Sequence, residues 1–131
     1  MIAPDTNLWA RAILGDDPRQ CRAAQKAITE AAGETGLFIP LLVFVELAWV
    51  LKAAPGWDAA RVHAALGRLL NMEGVEVEAS PRAREALALS TGAVRLADNL
   101  VFLAAHDRGC SRLLTFDARF AKTGRAVLLK A

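Results

Sequence analysis

Four carboxylates, Asp5, Glu46, Asp98 and Asp117, each border or interrupt an apolar segment. Glu46 has five apolar residues on either side, Leu41 to Val45 and Leu47 to Leu51. An isolated carboxylate in such a setting is costly unless it gains a cation, a hydrogen-bonding partner or a proton. Taken singly, each Asp reads as a helix cap and Glu46 as a residue turned to solvent. Taken together on one edge of a fold, the four repel one another unless positive charge lies among them. Mg²⁺ or Mn²⁺ suits such a set, because hard divalent ions take oxygen ligands. The chemistry that a hard ion held in this way can supply is activation of a bound water and stabilisation of developing negative charge.

The elements that must position these acids alternate between short strand-like and longer helical pieces. Met1 to Asp5 reads as a strand ending in an acid, and Leu8, Trp9, Ala12 and Ile13 then share a helical face. Asp17-Pro18 starts a second helix with the stripe Cys21, Ala24, Ile28 and Ala31. Leu37 to Pro40 reads as a buried strand, followed by a mostly buried helix from Leu41 to Leu51. Asp58 caps a helix bearing Val62, Ala65, Leu66 and Leu69, and Val75 to Glu78 alternates as a strand. Ser80-Pro81 opens a helix through Leu89, Asp98 to Arg108 forms another, and Arg112 to Thr115 and Ala126 to Leu129 supply two strands. Five strands with helical crossovers predict an α/β fold, a mainly parallel sheet covered by helices on both faces. Ligands of such sheets sit beyond the carboxyl ends of the strands, where Asp5, Asp98 and Asp117 are expected.

A chain of 131 residues fits one domain spanning 1–131, and no repeat or linker divides it. With 54% hydrophobic and 23% charged residues the chain reads as folded. Its 27 alanines favour helix. Two cysteines, Cys21 and Cys110, are too few for a disulfide framework, and the N-terminus shows no signal-peptide pattern. A cytoplasmic setting is the expectation. The apolar run around Glu46 is too short to cross a bilayer, which takes about 20 residues. A net charge of +2 permits a nucleic-acid partner without demanding one.

The same residues carry a family resemblance. Asp5-Thr6-Asn7, Val45-Glu46-Leu47, Leu96-Ala97-Asp98 and Leu114-Thr115-Phe116-Asp117 resemble, in order and spacing, the four acidic motifs of PIN-domain nucleases. The size and the Asp17-Pro18 turn are most similar to VapC-type toxins of toxin–antitoxin pairs. The resemblance implies an α/β/α sandwich around a five-stranded sheet. It further implies an Mg²⁺- or Mn²⁺-dependent endoribonuclease leaving 5′-phosphate and 3′-hydroxyl ends, a homodimer, and a cognate antitoxin. Asp5, Glu46, Asp98 and Asp117 would be the catalytic and metal-binding quartet. Thr6, Asn7 and Thr115 would support it, with Asn7 and Thr115 positioning carboxylates or water. Three positions depart from the pattern: Pro4, which removes a ladder donor and ends strand pairing early; Asn99, where a small residue is usual; and Arg119, where some members carry a further acid.

Arg11, Arg95, Arg119 and Lys122 flank the motifs and are candidates to grip RNA phosphates, or are solvated surface cations. His63 and His106 read as surface residues, Cys21 as core, Cys110 as packed beside the fourth strand, and Trp49 and Trp57 as core. Three other functions compete, of which a flavodoxin-like signalling receiver lacks the lysine after a late strand that completes its acidic pocket, Lys122 being expected in a loop. A phosphotransferase with Asp5 as nucleophile would want an acid at the position of Asn7. A non-catalytic PIN-fold regulator that binds RNA or protein would be expected to have lost one of the acids.

Overall fold

Strand pairing is brief and entirely parallel. The computed structural model describes residues 1–91 and 95–131. These fall into two compact units, Met1–Ala83 and Arg84–Ala131. In the first unit lie α1 (Thr6–Leu14), α2 (Pro18–Glu34), β1 (Leu37–Ile39), α3 (Leu41–Ala53), α4 (Ala59–Asn71), β2 (Val75–Val77) and the start of α5 (Ser80–Leu89). β1 pairs with β2 in parallel, Leu37 opposite Val75 and Ile39 opposite Val77. The expected first strand is reduced to one parallel bridge, Ile2 to Leu37, held by Ile2 N–H to the Gly36 carbonyl and Phe38 N–H to the Ile2 carbonyl. Pro4 follows two residues later and has no N–H to extend the ladder.

The helices form where caps and apolar stripes coincide. Asp17 accepts from Gln20 N–H at the start of α2, with Pro18 at the first helical position. Asp58 does the same for α4 through Arg61 N–H. α3 begins at Pro40, which offers no side-chain cap; Glu78, just past β2, accepts from Leu41 N–H at 2.8 Å instead. The core gathers Trp9, Ile28, Leu37, Ile39, Phe44, Leu47, Leu51 and Leu66. Trp57 is buried, with the Arg61 guanidinium 4.0 Å above its ring, as expected of a core tryptophan. Trp49 departs from that expectation: α3 is apolar nearly all round, so one flank must be left over, and Trp49 lies on it at 51% exposure.

The second unit holds the rest of α5, α6 (Leu96–Asp107), β3 (Leu114–Thr115), α7 (Ala118–Lys122) and β4 (Val127–Leu128). β3 and β4 pair in parallel, Leu114 opposite Val127 and Thr115 opposite Leu128. Among the described residues the sheets are therefore two pairs of short strands plus one bridge, where five strands were expected. α7 starts where the capping reading of Asp117 puts a helix, although its five residues carry too little periodicity to register as one by themselves. Leu96, Asn99 and Leu103 form the buried stripe of α6. Cys110, expected against the fourth strand, is exposed, and Cys21 is half-buried with its thiol 3.8 Å from the Ala12 carbonyl. Among the described residues no helix is long and apolar enough to cross a membrane.

Gly74 turns the chain into β2 at φ +80°, and a Cβ there would lie 2.5 Å from the Ala32 carbonyl oxygen. Gly56 has the same φ with nothing within 4 Å. Gly56→Ala is therefore expected to cost about 1–2 kcal/mol from the left-handed backbone alone, and Gly74→Ala clearly more. Urea unfolding of both variants checks this, and equal losses would contradict the close approach.

Candidate active site

In the first unit, the residue that ends the Ile2 segment also starts a helix. Asp5 is the N-cap of α1 and its Oδ1 accepts from Leu8 N–H at 2.9 Å. Its other oxygen makes no hydrogen bond among the described residues, and the side chain is exposed. Thr6, the first residue of α1, donates from Oγ1 to Glu46 Oε1 at 3.1 Å. This bond ties the helix after the first segment to the helix after β1, and supplies the partner that Glu46 requires. Glu46 is half-buried.

Asn7 does not bond a carboxylate among the described residues; Thr6 performs that role instead. Helical geometry accounts for the swap, since adjacent residues point about 100° apart around the axis. Asp5, Asn7 and Arg11 do share one shallow cleft of about 370 Å³, together with Leu8 and Gln20. Arg11, a candidate RNA contact, is already engaged: its Nη1 lies 2.6 Å from Asp16 Oδ2. That hydrogen bond, foremost, holds the Asp16 carboxyl below its ordinary value of 3.8.

In the second unit, Asp117 caps α7, its Oδ1 accepting from Arg119 N–H at 2.9 Å and Phe120 N–H at 3.3 Å. As with Asp5, one oxygen serves the cap and the other makes no hydrogen bond among the described residues. Thr115 Oγ1 accepts from the backbone N–H of Asp117 at 3.0 Å, so it positions this residue through its main chain and not through its carboxylate. Asp98 is not a helix cap. α6 begins two residues earlier with Arg95 as its N-cap, which places the half-exposed Asp98 in the first turn, where a negative charge suits the helix dipole. Arg95, Arg119 and Lys122 are exposed.

One residue of consequence was noticed in the sequence only as a departure. Asn99, beside Asp98, is wholly buried; its Nδ2 donates to Ser90 Oγ and the Arg95 carbonyl, and its Oδ1 accepts from Arg125 Nη1 at 3.1 Å. The available signal was spacing, because Asn99 falls three residues after Leu96 and four before Leu103 on the core stripe.

The donor chemistry suits a hard divalent ion: four carboxylates, two of them with an oxygen left over after capping. Among the described residues, no group of three or more His, Cys, Asp and Glu is placed to hold a metal. The PIN domain family profile matches residues 2–126. The chain belongs to the PIN domain family. Comparison with curated proteins finds no match. PIN domains are typically nucleases, and PIN-domain nucleases generally use divalent metals.

The Arg11–Asp16 bond has a pH signature. A carboxyl with a depressed folded pKa contributes stability above its unfolded value and loses it as pH falls through the folded one. Carboxyl NMR should show Asp16 titrating below 3.8 in the wild type and returning towards it in Arg11→Gln. An unchanged midpoint in the variant would remove Arg11 as the cause.

Proposed function

We propose that this PIN domain is an Mg²⁺- or Mn²⁺-dependent endoribonuclease that uses Asp5, Glu46, Asp98 and Asp117 as one catalytic set. The observation that carries the reading is the shared geometry of Asp5 and Asp117, each anchored by a cap through one oxygen and presenting the other. A cap fixes the carboxylate without consuming it, which is what a monodentate ligand needs. The bound ion would supply Lewis-acid stabilisation and a more acidic water. Asp5, Asp98 and Asp117 would hold it. Glu46, with one oxygen on Thr6, would bind beside them or accept the proton of the attacking water. Arg95, Arg119 and Lys122 are exposed and suited to RNA phosphates, while Arg11 would first have to leave Asp16. With this reading go a single five-stranded sheet in an α/β/α sandwich, products with 5′-phosphate and 3′-hydroxyl ends, and a cytoplasmic site of action.

The finer reading is a VapC-type toxin that acts as a homodimer and is restrained by an antitoxin. Support for a protein partner comes from an apolar groove of about 920 Å³ in the first unit, lined by Trp9, Ile13, Ile28, Leu69 and Met72 and edged by Arg68. Trp9 is 2% exposed, yet its indole N–H has no acceptor among the described residues. An apolar antitoxin segment would cover the apolar side chains that line this groove.

The test is cleavage of total and transfer RNA with Mg²⁺ or Mn²⁺, against EDTA, on protein freed of any copurified inhibitor. Wild type should cut only with metal, and Asp5→Asn and Asp98→Asn should each lose at least about 100-fold in rate, in the range expected for such groups. Full activity in either folded variant would overturn the catalytic set. Intact RNA with every protein would favour the non-catalytic regulator.

A further inference from the structure

We propose that the second unit carries a binding site for a phosphate group, at the amino ends of β3 and β4 and separate from the acidic residues. A cavity of about 210 Å³ opens there, with His106, Ser111, Arg112 and Arg125 among its walls and no Asp or Glu. Ser111 and Arg112 precede β3, and Arg125 precedes β4, whereas Asp117 follows β3. His106 lies eight residues after Asp98 on α6, roughly 12 Å along the axis at 1.5 Å per residue. The cavity therefore lies towards the opposite end of β3 from Asp117, and its His106 wall is at the opposite end of α6 from Asp98.

Two features make it a built site. Arg125 is half-buried, and its Nη1 is held by Asn99, whose amide is itself fixed by Ser90 and the Arg95 carbonyl. One arm of the guanidinium is thus fixed, and Arg125 forms part of the cavity wall. Arg112 supplies a second guanidinium with no hydrogen-bond partner among the described residues. Two like charges around one cavity without a counter-charge are mutually unfavourable, and an anion relieves both. The carbonyls at the end of α6, which would repel an anion, are already engaged by the N–H groups of Arg108, Gly109 and Cys110. The Phe102 ring stacks on His106 at 6.1 Å and fixes the imidazole beside the site. The volume is below the roughly 300–1,000 Å³ of pockets that enclose drug-sized ligands, so a small oxyanion fits and a nucleoside does not. The phosphate could be free, or the terminal group of an RNA strand.

The experiment is titration of the full chain with sodium phosphate by calorimetry, at constant ionic strength and with EDTA present, so that metal at the acids plays no part. Saturable binding is expected, weakened at least tenfold in Arg112→Gln, an exposed position where the change leaves the fold intact. The same titration followed through arginine Nε–H resonances needs no variant, and Arg112 and Arg125 should be among those that shift. A 5′-phosphorylated RNA dinucleotide that competes where its 5′-hydroxyl counterpart does not assigns the site to a strand end; equal failure of both assigns it to free phosphate. No saturable binding, equal binding by Arg112→Gln, or shifts confined to other arginines would overturn the proposal.

Discussion

Parallel strands of two or three residues cannot be joined by a tight turn, and most of this chain follows from that constraint. Each strand must be left through a crossover, usually helical, before the next can pair beside it. Every crossover restarts a helix at the carboxyl end of a strand, where its first N–H groups have no partner in the helix. A short side chain carrying oxygen is the cheapest acceptor for them. Asp5 and Asp117 are therefore where they are for structural reasons before any functional one. Their chemistry uses what the structural task leaves over.

That economy has a limit, which the four acids illustrate differently. Asp5 and Asp117 each commit one oxygen to backbone N–H groups, and Glu46 commits one to the Thr6 hydroxyl. Asp98 caps nothing and depends for its place on the first turn of α6. That turn is secured by Asn99, the only buried polar side chain in the described core, which links the end of α5, the start of α6 and Arg125 ahead of β4. A fully satisfied buried amide specifies one arrangement, because every alternative leaves donors or acceptors unpaired. Asn99 and Arg125 thus act through the backbone that carries Asp98 and not on it directly.

Much of this was legible in the residues. Caps at Asp5, Asp17 and Asp58, the stripe of α2 and the parallel segments at Leu37, Val75, Leu114 and Val127 all read directly from type and spacing. Pro4 correctly announced that the first segment would hardly pair, since it lacks the donor. Long-range partners were not legible. Glu78 capping α3, Thr6 reaching Glu46 and Arg125 reaching Asn99 span 37, 40 and 26 residues, and no local pattern encodes them. The start of α6 was displaced because Arg95 offers no capping side chain to mark it. Trp49 and Cys110 were misplaced because apolar character says only that burial is favourable, and not which flank of an all-apolar helix or loop obtains it.

Under the proposed function, acids from four separate segments serve one metal. Mn²⁺ binding followed by electron paramagnetic resonance tests this without any RNA. If the four acids do so, Asp5→Asn and Asp117→Asn, one in each compact unit, should both weaken the same Mn²⁺ site at least tenfold. If either substitution leaves Mn²⁺ affinity unchanged in a folded protein, the four acids do not act as one set, and the nuclease assignment of these residues fails.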